Sequence, residues 1–353
     1  MDMDGEYGEV MGEESIPGNH IKAELETRMS VETRMSVETR MSVETRMGLE
    51  TRMSLETRMS LETRMGLETR MNLETMMGQL AEEDICLAFS GGVDSSLLLK
   101  AAADAAGRTG KKVYAVTFDS RLHPSCDLET ARRVAAELGG IHEVISVDEL
   151  EQEEIRSNPV NRCYLCKRHL FMKLTELAKA RGIRHILDGT NEDDMHVYRP
   201  GIQALKELGI ISPLAELHMT KAQVKALASE YGISVASRPS TPCMATRLPY
   251  GAFLDYEVLE RIARGEAYVR NRIPGNVRLR LHGDIVRLEL DPGSFAAFME
   301  ARDELIRELK RLGFMYITLD AEGFRSGSMD AGISVDGGTA VCGGIAAERS
   351  GIQ

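Results

Sequence analysis

The stretch that decides the fold is Ile85–Ser96, ICLAFSGGVDSS, which is followed by LLLKAAADAAG. The apolar run ICLAF has the length of a buried strand, SGGVDSS is a glycine-rich loop, and the last segment has the composition of a helix. Two glycines let the backbone approach a ligand closely, and the first N–H groups of the helix point to the same place. The stretch therefore predicts a strand–loop–helix unit that binds phosphate.

The loop itself lacks the GK[ST] of a Walker loop and the GxGxxG of a dinucleotide fingerprint. A connection that needs its glycines only for a tight turn is the alternative to phosphate binding. Asp94 has the wrong charge to contact phosphate, so we expect it to hold Mg²⁺ or to position the loop. The residues expected to bind the nucleotide here are Ser90, Gly91, Gly92, Val93, Asp94, Ser95 and Ser96.

Strands and helices alternate after this unit, which predicts an α/β fold with a doubly wound, mostly parallel sheet. The expected strands are 112–120, 142–148 and 185–190, and the expected helices are 128–140, 168–182 and 220–232. We expect the residues that end strand 185–190 to contact nucleotide or Mg²⁺, because ligands bind at the carboxyl ends of strands in such sheets. These residues are Asp188, Gly189, Asn191 and Asp194.

Other regions differ from this pattern. A hexapeptide repeat, ETRM(S/G/N)(V/L), is predicted to form a helical or disordered arm, with a hexapeptide β-helix as the alternative. Because none of the motifs lies in the repeat, deletion of residues 1–75 is expected to leave the activity of the phosphate-loop domain largely unchanged. The expected organisation is an acidic N-terminal tail (1–25), the arm (26–75), the phosphate-loop domain (76–250), a small α+β domain for substrate binding or oligomerisation (251–330) and a flexible tail (331–353).

Composition narrows the functional classes. The formal net charge of −12 argues against a nucleic-acid partner, because such proteins carry a basic excess. No apolar run reaches the ~18 residues of a membrane span, and the acidic N-terminus differs from signal and transit peptides, so we expect a cytoplasmic protein with no membrane partner. Six cysteines are too few for a disulfide scaffold.

Three cysteines stand out by their spacing. Cys163 and Cys166 form a CxxC, and Cys243 lies in PCMATRLPYG. No second CxxC or suitably spaced histidine completes a four-ligand zinc site, whereas three thiolates suit an iron–sulfur cluster with one open iron. A redox dithiol and unremarkable thiols are the alternatives.

The SGGVDS segment resembles the signature of the ATP pyrophosphatase (PP-loop) superfamily, whose fold is of the adenine nucleotide alpha hydrolase type. The resemblance implies that the loop binds the pyrophosphate of ATP while a substrate oxygen attacks the α-phosphate. The rival functions are a PP-loop tRNA thiolase or amidotransferase and a non-catalytic ATP-binding protein. A thiolase would need a basic RNA-binding module, and an amidotransferase a source of ammonia.

A more specific resemblance covers about 80–329. NPVNRCYLCKRHLF, DGTNEDDMHVYRPG, PCMATRLPYG and VRLRLHGDIVRLE are similar to segments of the ATP-dependent sacrificial sulfur transferase family (LarE). This implies adenylation of a carboxylate of pyridinium-3,5-biscarboxylic acid mononucleotide and replacement of oxygen by sulfur, in nickel-pincer nucleotide biosynthesis. It also implies Mg²⁺ with ATP, a homo-oligomer and other nickel-pincer biosynthesis proteins as partners.

Residue roles follow from that resemblance. Members with only the cysteine of the PC-x-[AS]-[ST]-R-x-PYG motif use it as the sulfur source, whereas members that also have the CxxC hold a [4Fe–4S] cluster, so Cys163, Cys166 and Cys243 are expected to be both catalytic and metal-binding. Asp94 and Asp194 are the expected Mg²⁺ ligands. Arg278 and Arg280 share one face of a strand and match the family's phosphate-binding arginines, Arg247 is expected to reach the same anion, and Glu266 matches an acidic active-site residue.

Overall fold

The phosphate loop is mounted on a four-stranded sheet whose strands are all parallel, in the order β3–β2–β1–β4. A computed structural model describes residues 66–123, 125–197, 199–238 and 241–330, together with 333–336 and 339–342. The strands are β1 (Ile85–Ala88), β2 (Val113–Ser120), β3 (Ile141–Val147) and β4 (His185–Leu187). The predicted α/β class and parallel sheet are confirmed.

Helices cover both faces of this sheet because β1 is apolar on both sides. Ile85 and Leu87 pack into a core with the helices Val93–Thr109, Ser125–Leu138 and Lys221–Glu230, whereas Cys86 packs on the opposite face with the helix Arg162–Ala180. The helices are α1 (66–80), α2 (Val93–Thr109), α3 (Ser125–Leu138), α4 (Glu153–Arg156), α5 (Arg162–Ala180), α6 (Glu192–Met195), α7 (Gly201–Glu207), α8 (Pro213–Glu216) and α9 (Lys221–Glu230). Short 3₁₀ helices occupy Glu149–Glu151, Met244–Arg247 and Pro292–Ser294.

Helix α1 includes the last copy of the hexapeptide repeat and packs on the sheet domain. Leu73 and Met77 are fully buried in the core that contains α2 and α9. Arg70 forms an ion pair with Glu230 at 2.8 Å. The packed part of the chain therefore begins before the expected boundary at residue 76. The acidic tail and the arm up to residue 65 lie outside the described residues.

The C-terminal module has a small sheet with two helices. Its elements are α10 (Tyr256–Arg270), β5 (Val277–His282), β6 (Ile285–Leu290), α11 (Phe295–Arg311) and β7 (Tyr316–Leu319). Strands β5 and β6 form the predicted antiparallel hairpin, whose two-residue turn uses the positive φ of Gly283, and β7 adds to β6 in parallel. Leu248, next to the 3₁₀ helix after Cys243, packs in the core of this module.

Two further strands, β8 (Ile333–Asp336) and β9 (Thr339–Cys342), pair antiparallel in the segment expected to be a flexible tail. In the part of the chain that the structure covers, no helix combines the length and the hydrophobicity that crossing a bilayer requires.

Candidate active site

The phosphate loop connects the end of β1 to the start of α2. Gly91 has a φ of 69°, and a Cβ there would lie 2.8 Å from the Cα of Ala131, so only glycine fits. Gly92 caps α2, and Ser95 Oγ donates to its carbonyl at 3.2 Å. Ser90 Oγ accepts from Gly92 N at 3.3 Å. The loop is therefore a backbone cradle at a helix N-terminus, which is a favourable place for an anion.

The segment after β4 lies directly against this loop. A Cβ on Gly189 would come within 3.1 Å of Ser95 N, so the two backbones approach closely. Asn191 donates from Nδ2 to Asp94 Oδ1 at 3.1 Å and caps α6 in a capping box with Asp194. The structure thus brings together residues of two separate motifs that the sequence predicted to bind nucleotide.

Each carboxylate that was expected to contact Mg²⁺ or nucleotide forms an ion pair with a basic side chain. Asp94 forms an ion pair with Lys221, Asp188 with Lys167 at 3.1 Å, and Asp194 with Arg199 at 2.9 Å. Within the described residues, no three His, Cys, Asp or Glu side chains are placed to hold a single metal ion. Lys221, Lys167 and Arg199 all line the cavity beside the loop, where a polyphosphate would need positive charge.

The CxxC lies in the first turn of α5, because this helix begins at Arg162 instead of at the expected residue 168. Cys163 and Cys166 are therefore one helical turn apart on the same side of α5. Cys243 is the N-cap of the 3₁₀ helix Met244–Arg247, and both Cys166 and Cys243 pack against the C-terminal core. Burial raises the pKa of the Cys166 and Cys243 thiols, and Arg162 acts in the opposite direction.

One cavity of about 570 Å³ joins the phosphate loop to all three cysteines. The predicted residues in its wall are Ser90, Gly92, Val93, Asp94, Ser95, Asp188, Gly189, Asp194, Cys163, Cys166 and Cys243. The loop, the end of β4 and the two cysteine segments therefore face a common space that is large enough for a small ligand.

Arg247, Glu266, Arg278 and Arg280 form a separate buried cluster that is not in the wall of this cavity. Glu266 accepts from Arg247 at 2.7 and 3.0 Å and from the backbone N–H of Leu279 at 3.0 Å. Arg280 pairs with the fully buried Glu289 at 3.1 Å.

Arg278 is the unbalanced member of that cluster. Its Nε is buried without a hydrogen-bond partner, and its guanidinium lies 5.2 Å from the centre of the Phe324 ring. Burial, together with the nearby Arg247, lowers the pKa of Arg278 to about 10. An anion beside Arg278 would give its Nε a hydrogen-bond partner and would balance its charge.

Comparison with known proteins adds to this geometry. A PP-loop domain profile matches residues 65–196. The chain is 36% identical over 246 residues to pyridinium-3,5-bisthiocarboxylic acid mononucleotide synthase of Lactiplantibacillus plantarum, covering 70% of this chain and 88% of that protein. The chain belongs to this synthase family, the LarE family.

Two uncharacterized proteins are also similar to this LarE-family chain. The protein of Synechocystis is 39% identical over 246 residues, covering 69% of this chain and 91% of its own. The protein of Methanocaldococcus jannaschii is 28% identical over 242 residues, again covering 69% and 91%.

Sequence reasoning missed several cations in the wall of this LarE-family cavity, among them Arg162, Lys167, Arg199 and Lys221. Arg162 and Lys167 directly flank the CxxC, and Lys221 is the first residue of α9, so their proximity to a motif and to a helix start was the only available signal. Their partners are distant in sequence, as in the pair of Lys221 with Asp94, and no spacing rule predicts such contacts.

Proposed function

We propose that this protein is an ATP-dependent sulfur transferase that acts on pyridinium-3,5-biscarboxylic acid mononucleotide. The observation that carries the proposal is the single cavity whose wall contains both the phosphate loop and the three cysteines. An ATP-binding module would need only the loop. The relative from Lactiplantibacillus plantarum, which is named as a synthase of the bisthiocarboxylic product, supports the choice of substrate.

The first step is adenylation. A substrate carboxylate oxygen attacks the α-phosphorus of ATP, a new oxygen–phosphorus bond forms, and the bond to the pyrophosphate oxygen breaks. The backbone N–H groups after Gly92 receive the phosphates. When ATP binds, Lys221, Lys167 and Arg199 would exchange their carboxylate partners for phosphate oxygens, and Asp94 and Asp194 would then be available to hold Mg²⁺.

The three cysteines fit an iron–sulfur cluster. They line one cavity from two chain segments, Cys166 and Cys243 have apolar neighbours, and the buried Arg162 supplies a positive charge beside them. A [4Fe–4S] cluster held by Cys163, Cys166 and Cys243 would supply sulfide for the thiocarboxylate. Because the cysteine segments and the loop line one cavity, the acyl adenylate formed at the loop would already lie beside the sulfur source, without diffusion, when sulfur displaces AMP from the acyl carbon.

The arginine cluster serves the phosphate of the substrate. Arg278 has an unpartnered Nε, so it is the residue with free capacity for that anion, and Arg280 lies two residues along the same strand. Glu266 and Arg247 support this phosphate site indirectly. They form an ion pair with each other, and Glu266 also accepts a hydrogen bond from the backbone of β5 at Leu279.

The test is anaerobic purification and reconstitution with iron and sulfide. The protein is expected to be brown and to release pyrophosphate and AMP over several turnovers with ATP, Mg²⁺, the dicarboxylate nucleotide and added sulfide, which replaces the sulfur used in each turnover. Cys163→Ala should remove colour and turnover together, whereas Cys86→Ala, a buried cysteine on β1, should keep both.

Other outcomes point elsewhere. Colourless protein, active Cys163→Ala and the loss of about 34 Da from Cys243 in one turnover would contradict the cluster and support covalent use of that cysteine. ATP binding without any pyrophosphate would contradict the enzymatic function. Pyrophosphate release stimulated by tRNA, and not by the pyridinium nucleotide, would indicate a tRNA thiolase.

A further inference from the structure

Asn158 lies between the two chain segments that carry the cysteines, just before α5 and against the loop that follows Cys243. It is fully buried and has a φ of 52°. Few residues other than glycine adopt this left-handed conformation, and asparagine is one that tolerates it. A buried polar residue in an uncommon backbone conformation is retained only where its contacts stabilise it.

The contacts of Asn158 connect the two segments. Its Nδ2 donates to the Pro249 carbonyl at 2.8 Å, and its backbone carbonyl accepts from Gly251 N at 2.8 Å. Its Oδ1 accepts from Arg162 Nη1 at 2.6 Å. One amide side chain therefore contacts the loop after Cys243 with its donor and the first turn of α5 with its acceptor.

Arg162 continues this connection towards the thiols. Its side chain is almost completely buried, its Nη2 donates to Cys163 Sγ at 3.3 Å, and it also interacts electrostatically with Cys243. The guanidinium lies 5.9 Å from the centre of the Tyr250 ring, in the same loop as Pro249 and Gly251. The fixed fork of an arginine can hold Asn158 and Cys163 at the same time, which the single ammonium of lysine does less well.

We propose that Asn158 and Arg162 are positioning residues that set the distance and orientation between the CxxC and Cys243, so that the three thiols converge on one ligand. The proposal rests on the proposed function for the identity of that ligand, an iron–sulfur cluster. Its geometric part concerns only the hydrogen bonds that Asn158 and Arg162 make within the chain.

Substitutions can separate three properties of Asn158, which are its left-handed backbone, its side-chain donor and its side-chain acceptor. Asn158→Gly keeps the left-handed backbone and loses both side-chain hydrogen bonds. Asn158→Asp keeps the size and the acceptor and loses the donor to Pro249. Asn161→Ala is the matched control, because Asn161 is exposed, lies in the same segment and makes no capping hydrogen bond through its side chain.

The experiment measures thiol proximity in the reduced, metal-free full-length protein. Dibromobimane becomes fluorescent when it bridges two neighbouring thiols, and mass spectrometry of the peptides identifies the Cys166–Cys243 bridge. The wild type and Asn161→Ala should form this bridge at the same rate. Asn158→Gly and Arg162→Gln should form it about tenfold more slowly, because reaction between two groups depends steeply on their relative position. Arg162→Lys should recover part of the rate.

A second measurement follows the cluster itself, as bound iron and visible absorption after anaerobic reconstitution. Both should fall in Asn158→Gly and stay unchanged in Asn161→Ala, with circular dichroism confirming that each variant is folded. If Asn158→Gly does not fold, Asn158→Asp is measured in the same way and should lose the same signals. Bridging and iron content equal to those of the wild type in a folded variant would overturn the proposal. Because neither measurement uses ATP or substrate, this result is independent of pyrophosphate release, which tests the proposed function.

Discussion

Arg247 and Glu266 form a two-point ion pair in the interior, with Nε–Oε1 at 2.7 Å and Nη2–Oε2 at 3.0 Å. Both side chains are almost completely buried, and Glu266 in addition accepts from the backbone of β5. The pair joins the segment that carries Cys243 to the C-terminal module. This geometry fits a structural role, in which the pair holds these two parts of the chain together, as well as a role in the active site.

The Arg247–Glu266 pair is expected to contribute to the free energy of unfolding. Glu266→Gln should lower the free energy of unfolding by about 3–5 kcal/mol, because it leaves the Arg247 charge buried and unpaired. Urea unfolding followed by circular dichroism measures the change. Arg270→Gln is the control, since Arg270 contacts the same carboxylate from a half-exposed position and should cost no more than about 1 kcal/mol. Equal effects of the two substitutions would contradict this account.

Lys221 gives a prediction on the adenylation step. Lys221→Met should reduce the substrate-dependent exchange of labelled pyrophosphate into ATP by about a hundredfold, because a cation placed at the developing charge is lost. Lys225→Met, one turn further along α9 and exposed, should leave the exchange unchanged. Full exchange in Lys221→Met would show that this lysine serves Asp94 and not the phosphates.

Arg278 gives a prediction on substrate binding and its pH dependence. Nicotinic acid mononucleotide, a pyridinium carboxylate with one phosphate, should stabilise the wild type by about 2.7 kcal/mol at a hundred times its Kd. Arg278→Met should abolish this stabilisation in a thermal-shift titration. The matching riboside without phosphate should bind equally weakly to both proteins.

The sign of the pH effect follows from the pKa of Arg278, which burial lowers to about 10. The guanidinium is charged below that pH and becomes neutral as the pH rises through it. Affinity of the free protein for the mononucleotide should therefore fall above about pH 10. An affinity that does not change between pH 8 and about pH 11 would indicate that Arg278 keeps its charge over this range, against the lowered pKa.

Helix α1 gives a prediction on the domain boundary. Leu73→Ala should destabilise the protein by about 2–5 kcal/mol, because a fully buried leucine leaves a cavity. Leu67→Ala, in the same helix and 58% exposed, should change stability by less than about 0.5 kcal/mol. A protein that starts at residue 66 should therefore keep its pyrophosphate release, and one that starts at residue 76 should unfold more easily. If the two truncated proteins are equally stable, the packing of residues 66–75 does not contribute to the free energy of unfolding.

The sequence by itself determined the features that depend on neighbouring residues. The apolar run at Ile85 followed by SGGVDSS predicted the strand, the loop and the helix, because burial on both faces, glycine conformations and helix N-termini are local properties. The alternation of strand segments with helix segments predicted the parallel sheet. The alternation of apolar and polar residues in 277–290 predicted the β5–β6 hairpin.

Only the tertiary structure decided which charged and polar groups pair. Asp94 with Lys221, Arg247 with Glu266 and Asn158 with Pro249 join residues whose separation along the chain carries no periodic signal. The early start of α5 has the same origin, since Asn161–Cys163 has a weak helical pattern and burial of Arg162 selects the helix there. Such contacts depend on the folded positions of whole elements. A buried pair is stable only where the attraction between its two groups offsets the cost of removing both from water, and the sequence does not state which groups the fold brings side by side.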